Sequence, residues 1–251
     1  MKTFGKSFLI GVLLTLAGTS AYAQDAGFIA KIKSFFTKKP VQTEAVAESA
    51  EAASQPVDPD APTFDFSEQS IGAPDAPLKM LVFTSLTCPH CTNMHLNLMP
   101  MLKAEYADTN RAQIIFMDFP LEPRAMAGSL VAHCLPKDEY LPFIDTLFAH
   151  QMQWAVAPDL NEALAPYAKL AGMSEAKMKA CIADEKANKE LMRIRNLNAM
   201  QYKIQATPTL LIRFGKKTEM LVGLPGMQDV AEAVKKLTDP NYVPPKPEHK
   251  H

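Results

Sequence analysis

Hydrophobic and polar residues alternate along this chain in two periods, and the boundaries between them mark the elements. Leu78 to Ser85 (LKMLVFTS) is a short apolar run between Pro77 and the turn-like Ser85-Leu86-Thr87, which predicts a buried strand. Met94, Leu98, Met101, Leu102 and Tyr106 then recur at helical spacing. A second apolar run, Gln113 to Phe119, ends at Pro120 and predicts another strand. Strand, helix and strand in one direction require a right-handed crossover, so the two strands should pair in parallel. Helical spacing takes over in Arg124 to Leu135, Lys137 to His150, Asp159 to Ala171, Ser174 to Asp184 and Glu185 to Tyr202, with Pro136, Pro158 and Gly172 as punctuation. Thr209 to Phe214, a Gly215-Lys216 turn, Glu219 to Val222 and a helix over Met227 to Leu237 return to the first pattern. Upstream, Phe64 to Gln69 alternates like an edge strand, and Gly72-Ala73-Pro74-Asp75-Ala76-Pro77 is a turn-rich entry to the central strand. The pattern predicts an α/β domain over 64–238, interrupted by a helical subdomain at about 124–202.

The ends of the chain differ in kind. Lys2 and Lys6 precede an apolar run, Phe8 to Ala17, that is short for a membrane span and leads to Ala21-Tyr22-Ala23. Residues 1–23 read as a secretory signal peptide cleaved near Ala23-Gln24, which implies export; an uncleaved anchor is the alternative. Residues 24–63 read as a linker, with little to bury after Pro40. Within it, Phe28, Ile29, Ile32, Phe35 and Phe36 interleave with Lys31, Lys33, Lys38 and Lys39. That stretch suits a lipid-touching helix, a contact with another copy of the chain, or a leader with a few adhesive residues. The Pro-rich tail, 239–251, should be unstructured. The formal charge of −1 becomes −3 once Lys2 and Lys6 are removed, so there is no electrostatic case for nucleic acid as a partner.

The chemistry concentrates in Cys88-Pro89-His90-Cys91, between the first strand and its helix. Pro89 suits the first helical position, where a missing N–H costs nothing, and this puts Cys88 at the helix N-terminus with Cys91 one turn in. Backbone N–H groups and the helix dipole favour an anion there. A thiolate at Cys88 is that anion, and His90 adds a donor or a positive charge beside it. Stabilising the reduced form in this way makes the disulfide an oxidant. A C-x-x-C pair can also be half of a zinc site, but zinc would need a second cysteine pair or a spaced histidine pair. Cys134 and Cys181 stand far apart in the sequence, each alone. In an exported chain they are left either to pair with each other, closing a loop worth roughly 4 kcal/mol, or to remain free buried thiols. No metal and no cofactor is called for.

These residues resemble the bacterial periplasmic thiol oxidoreductases of the disulfide-forming DsbA type, and more closely the proteobacterial branch with a second, structural disulfide. The resemblance covers about Ile71 to Leu237. It rests on Gly72 to Pro77, on Cys88-Pro89-His90-Cys91, on Phe116 to Leu121, on Ala132-His133-Cys134, on Cys181-Ile182 and on Thr207-Pro208-Thr209. It implies a thioredoxin-like fold with an inserted helical subdomain. Cys88 would be the nucleophile that forms the mixed disulfide, Cys91 the resolving thiol, and His90 would tune the thiolate. Pro208 would be a cis-proline against the dithiol, leaving the Thr207 backbone to pair with a substrate strand. Cys134 and Cys181 would form the structural disulfide.

One position departs from the pattern. Where many thioredoxin-like proteins carry a buried acid six residues before the first cysteine, this chain has Val82, with Glu68 and Asp118 as candidate substitutes. The expected activity is that of a periplasmic oxidase, donating its disulfide to unfolded exported proteins and reoxidised by a quinone-linked membrane partner. A reductase or isomerase, oligomeric through 27–39, is the alternative. A metal carrier using Cys88, Cys91 and His95 is a third. Met94, Leu96 and Met99 suggest an apolar client groove, though helix packing would account for two of the three. His133, His150 and Trp154 read as core or surface residues rather than ligands.

Overall fold

Successive side chains of the central strand enter two different cores, one on each face of the sheet. The computed structural model describes residues 60–243. The expected signal peptide, the expected linker as far as residue 59 with its 27–39 stretch, and the tail beyond 243 lie outside the described residues. The strands are β1 (Gln69–Ile71), β2 (Leu78–Thr84), β3 (Ala112–Asp118), β4 (Thr209–Phe214) and β5 (Lys217–Val222), in one sheet of order β1-β3-β2-β4-β5. β2 and β3 are parallel, as the crossover argument requires, and every other pairing is antiparallel. Leu78, Met80 and Val82 of β2 point into one core, Leu81 and Phe83 into another. A strand covered on both faces reads as a continuous apolar run, which is why β2 shows no alternation.

The first core is closed by two helices. One is a helical run after the dithiol, α1, made of consecutive segments Pro89–Asn93, Met94–Leu98, Met99–Leu102 and Lys103–Ala107, the second and fourth wound as π-helix. Its widening has a local cause. At the first wide segment, Pro100 has no N–H for the Leu96 carbonyl, and the Met99 N–H passes over the His95 carbonyl to that of Met94. Met94, Leu98, Met99, Leu102 and Tyr106 are buried, while Met101 is half exposed because the wider turns rotate it away. The other helix is the last one, Met227–Thr238, which buries Val230, Ala233, Val234 and Leu237.

Between β3 and β4 lie α2 (Pro123–Cys134), α3 (Lys137–Ala149), α4 (Gln151–Trp154), α5 (Leu160–Leu170), α6 (Glu175–Ala183) and α7 (Glu185–Tyr202), so the last helix is α8. Asp159, Ser174 and Asp184, where the helical patterns begin, are N-caps, accepting from the N–H groups of Glu162, Lys177 and Ala187. This subdomain has its own core, including Phe143, Leu147, Phe148, Trp154 and the disulfide Cys134–Cys181. Of the two outcomes open for those cysteines, pairing is the one found.

Two expectations shift. The strand expected over Phe64 to Gln69 forms at Gln69–Ile71 instead. Asp65 donates its N–H to the His133 carbonyl and accepts at its own carbonyl from His133 Nδ1, and its side chain binds the Ser67 N–H. Those bonds tie Asp65 and Ser67 to α2 and to a local turn, while Phe64 and Phe66 stack and pack against Met126, Leu130, Ala187 and Leu191. Of Met94, Leu96 and Met99, Met94 and Met99 are buried in the core and Leu96 is exposed, while Leu96 and Met99 line a surface groove with Pro100, Leu141 and Pro142. His133 and Trp154 are buried, and His150 lies on the surface against the ring of Tyr167.

Candidate active site

The site is built where β2 ends. Ser85, Leu86 and Thr87 make a turn closed by the Cys88 N–H on the Ser85 carbonyl at 3.0 Å. Cys88 follows as the N-cap of α1, extended at φ −80° and ψ 120°, with Pro89 in the first turn as its fixed φ predisposes. Its carbonyl receives the Thr92 N–H at 3.1 Å. Cys88 is half-buried, His90 exposed and Cys91 fully buried. The pair is present as two thiols. Desolvation pushes the Cys91 thiol up to about 12, against the Ser85 N–H and the Thr207 hydroxyl, which favour its anion. The Ser85 N–H lies 3.4 Å from Cys91 Sγ.

Thr207 and Pro208 lead into β4, the strand paired with β2, where Thr209 is in register with Phe83. Their peptide bond is cis. The Thr207 carbonyl accepts from the Cys88 thiol at 3.6 Å, so a substrate strand pairing there would displace that contact. The loop is pinned by Thr209 Oγ1 donating to the Ala206 carbonyl at 2.7 Å and by the Gly223 N–H donating to the Pro208 carbonyl at 2.9 Å. Gly223 has φ +87°, which a side chain would strain. The Thr207 hydroxyl is buried without a hydrogen-bond partner among the described residues. A thiolate at Cys91 is the acceptor it lacks, which is consistent with its lowering effect there.

The remaining candidates fall elsewhere. Cys134 and Cys181 belong to the helical core. Val82 is buried in the sheet core, and neither proposed acid takes its place. Glu68 binds Gln113, which is in register with Lys79 at the opposite end of β2 from the dithiol. Asp118 is fully committed to Ser129 Oγ, His133 Nε2 and Tyr140 Oη, at 2.5, 2.8 and 2.6 Å. His95 gives Nε2 to Asp145 at 2.5 Å and stacks on Phe148, so that nitrogen is engaged away from the sulfurs.

Two participants had no sequence signal strong enough to find. Gln151 Nε2 donates to the carbonyls of Leu86 and Cys88, at 2.7 and 3.1 Å. Ser85 contacts Cys91 through its N–H and accepts the Leu121 N–H at its hydroxyl, at 3.4 Å each. Ser85 stands three residues before Cys88 and its turn could have pointed to it; Gln151 lies sixty-three residues away and nothing local marks it.

A family model described as Thioredoxin matches residues 66–228. A candidate protein-disulfide oxidoreductase of Rickettsia bellii is 27% identical over 156 residues, which are 62% of this chain and 60% of that protein, so the match spans about three fifths of the relative. Among solved structures, alpha-DsbA1 of Wolbachia pipientis superposes with a TM-score of 0.61 at 27% identity, over 69% of this chain and 92% of that one. A protein-disulfide isomerase from Novosphingobium aromaticivorans shares the fold, with a TM-score of 0.57 at 21% identity over 69% of this chain and 98% of its own. Because the family match takes in the dithiol, the whole helical insertion and the cis-proline loop, this chain belongs to the thioredoxin family and is DsbA-like in structure.

Proposed function

We propose that the protein is a thiol:disulfide oxidoreductase that acts as an oxidase on exported proteins. The observation that carries this reading is the contrast within the pair: Cys88 is half-buried at a helix start, and Cys91 is fully buried beside it with its thiol pushed up to about 12. In the oxidised form, a client thiolate attacks Cys88 Sγ, the Cys88–Cys91 bond breaks, and a client–Cys88 disulfide forms. Cys91 leaves as a thiolate and takes up a proton, since burial favours its neutral form. A protonated Cys91 is a poor nucleophile, so it is slow to attack Cys88 and reverse the step. The second client thiolate then attacks the client sulfur and releases Cys88. The client has lost two electrons and two protons, and the Cys88–Cys91 pair has gained the electrons. A reductase or isomerase needs Cys91 to attack readily, which this burial opposes.

Reoxidation would fall to a quinone-linked membrane partner, in a periplasmic setting reached through the signal peptide. Within this reading Cys88 is the sulfur that forms the mixed disulfide, attacked by the client and itself the nucleophile when the pair is reoxidised, Cys91 is its partner, Pro89 and His90 shape the helix start, and Thr207 and Pro208 receive the client backbone.

The test is oxidative refolding of a reduced client, together with the pair's reduction potential in glutathione buffers. An oxidase restores native disulfides, loses this activity on Cys88→Ser, and has a potential well above thioredoxin's, which is about −270 mV. A potential near that of thioredoxin, with activity confined to scrambled substrates, would replace this reading with the isomerase one.

A further inference from the structure

The turn that presents Cys88 is not held by the thioredoxin part alone. Its own bond, Cys88 N–H to the Ser85 carbonyl, leaves the carbonyls of Leu86 and Cys88 facing the helical subdomain. Gln151, the first residue of α4 and 5% exposed, meets both with one carboxamide nitrogen, at 2.7 and 3.1 Å. That nitrogen carries two hydrogens, one for each carbonyl. The Cys88 carbonyl also accepts the Thr92 N–H, so two donors converge on the carbonyl of the half-buried cysteine.

The base of Gln151 is itself fixed. Trp154, one turn on, is fully buried and donates Nε1 to the Leu147 carbonyl at 2.8 Å. On the other side, Gly128 of α2 lies so close to the turn that an added Cβ would sit 2.9 Å from Leu86 Cδ1. Two elements of the insertion, α4 through Gln151 and α2 through Gly128, therefore meet the redox turn, and among the described residues of the insertion Gln151 is the one that bonds to its backbone.

We infer that Gln151 is a positioning residue through which the helical subdomain sets the redox equilibrium of the Cys88–Cys91 pair. This rests on the reading of that pair as the exchanging one. A peptide carbonyl carries partial negative charge, and two of them flank the Cys88 sulfur, which can carry negative charge only in the reduced form, as the thiolate through which exchange proceeds. Donors on both carbonyls draw that charge away from the sulfur and fix the turn that holds it at the start of α1. The benefit falls on the reduced form, so Gln151 makes the disulfide easier to open. Glutamate could not substitute, because an ionised carboxylate only accepts.

The full-length protein, Gln151→Met and Gln151→Glu are titrated in glutathione buffers, with the single tryptophan, Trp154, as the fluorescent reporter and thiol-mass tagging as a check. Gln151→Met should move the equilibrium three- to tenfold toward the disulfide, tenfold being about 30 mV, and Gln151→Glu should move it further. Melting temperatures of both redox forms are measured alongside. Equal losses of stability in the two forms, with an equilibrium within twofold of the parent, would reduce Gln151 to a structural residue and overturn the inference. Should neither variant fold, nitrogen-15 spectra of the unmodified protein decide. A Gln151 side-chain amide that is protected from exchange and shifts between redox forms supports the inference, and one that exchanges freely and does not shift overturns it. A parent pair that fails to exchange with glutathione removes the oxidoreductase reading and this inference together; a normal parent with unmoved variants removes only the inference.

Discussion

Asp118→Asn is the substitution that most directly weighs the buried polar cluster behind the site. Asp118 and His133 are both buried, and His133 donates through both ring nitrogens, to the Asp65 carbonyl and to the Asp118 carboxylate. Two donors and a carboxylate partner make it an imidazolium. Burial by itself would lower the His133 pKa from 6.5, but the hydrogen bond and charge of Asp118 outweigh it and raise it. Burial would likewise raise Asp118 from 3.8, but the charge of His133 and the bonds from His133, Ser129 and Tyr140 win and lower it. A raised histidine contributes stability below 6.5 and loses it as pH climbs through the folded value. A lowered aspartate contributes above 3.8 and loses it as pH falls through the folded value. The pair is therefore at full strength between those limits, and pH 5 is inside the window.

Asparagine keeps the shape of Asp118 and removes its charge, which at pH 5 leaves a buried imidazolium without its counter-ion. Breaking one side of a buried pair costs about 3–5 kcal/mol. In a domain of this size that corresponds to a melting temperature lower by roughly 6–20 °C. At pH 8 to 9 His133 can shed its proton once the carboxylate is gone, so the deficit should shrink. Urea unfolding of parent and variant at pH 5 and pH 8.5 reads both numbers. A deficit under about 1 kcal/mol that does not change with pH would mean that the cluster is held by its hydrogen bonds alone and that the ion-pair argument is wrong.

Three further outcomes follow from the same geometry. With Cys88 replaced by alanine, Cys91 should still be alkylated by iodoacetamide at pH 8 on the order of a hundredfold more slowly than free cysteine, because desolvation, the largest cause of its raised pKa, remains; a rate equal to that of free cysteine would contradict its burial. Gly128→Ala places a methyl 2.9 Å from Leu86 Cδ1, so it should cost about 1–3 kcal/mol in urea unfolding and disturb the amide signals of Leu86 and Cys88. Replacing Cys134 and Cys181 together with serine opens a link between positions 47 apart, worth up to about 4 kcal/mol, and denaturant midpoints with and without reductant should show the loss in the parent but not in the variant.

What could be read from the residues alone is what depends on near neighbours. Strand β2 follows from a run of apolar residues closed by a proline and a turn, and helices α5 to α7 from caps and spacing within a few positions of Asp159, Ser174 and Asp184. Cys88 at the head of α1 is equally local, since a strand end, a proline and two cysteines within four residues leave little freedom. Longer-range matters were decided by packing. Whether Cys134 meets Cys181, which of Met94, Leu96 and Met99 is hidden, and why Asp65 binds α2 rather than extending β1 all depend on the angles at which helices settle on the sheet. Gln151 shows this most clearly. Nothing near it in the chain marks a polar residue that will be buried against the redox turn, because its two acceptors are brought to it only when the insertion closes over the end of β2. Periodicity and capping act over a few residues, so they are written along the chain; a hydrogen bond between residues more than sixty positions apart exists only once the core between them has formed.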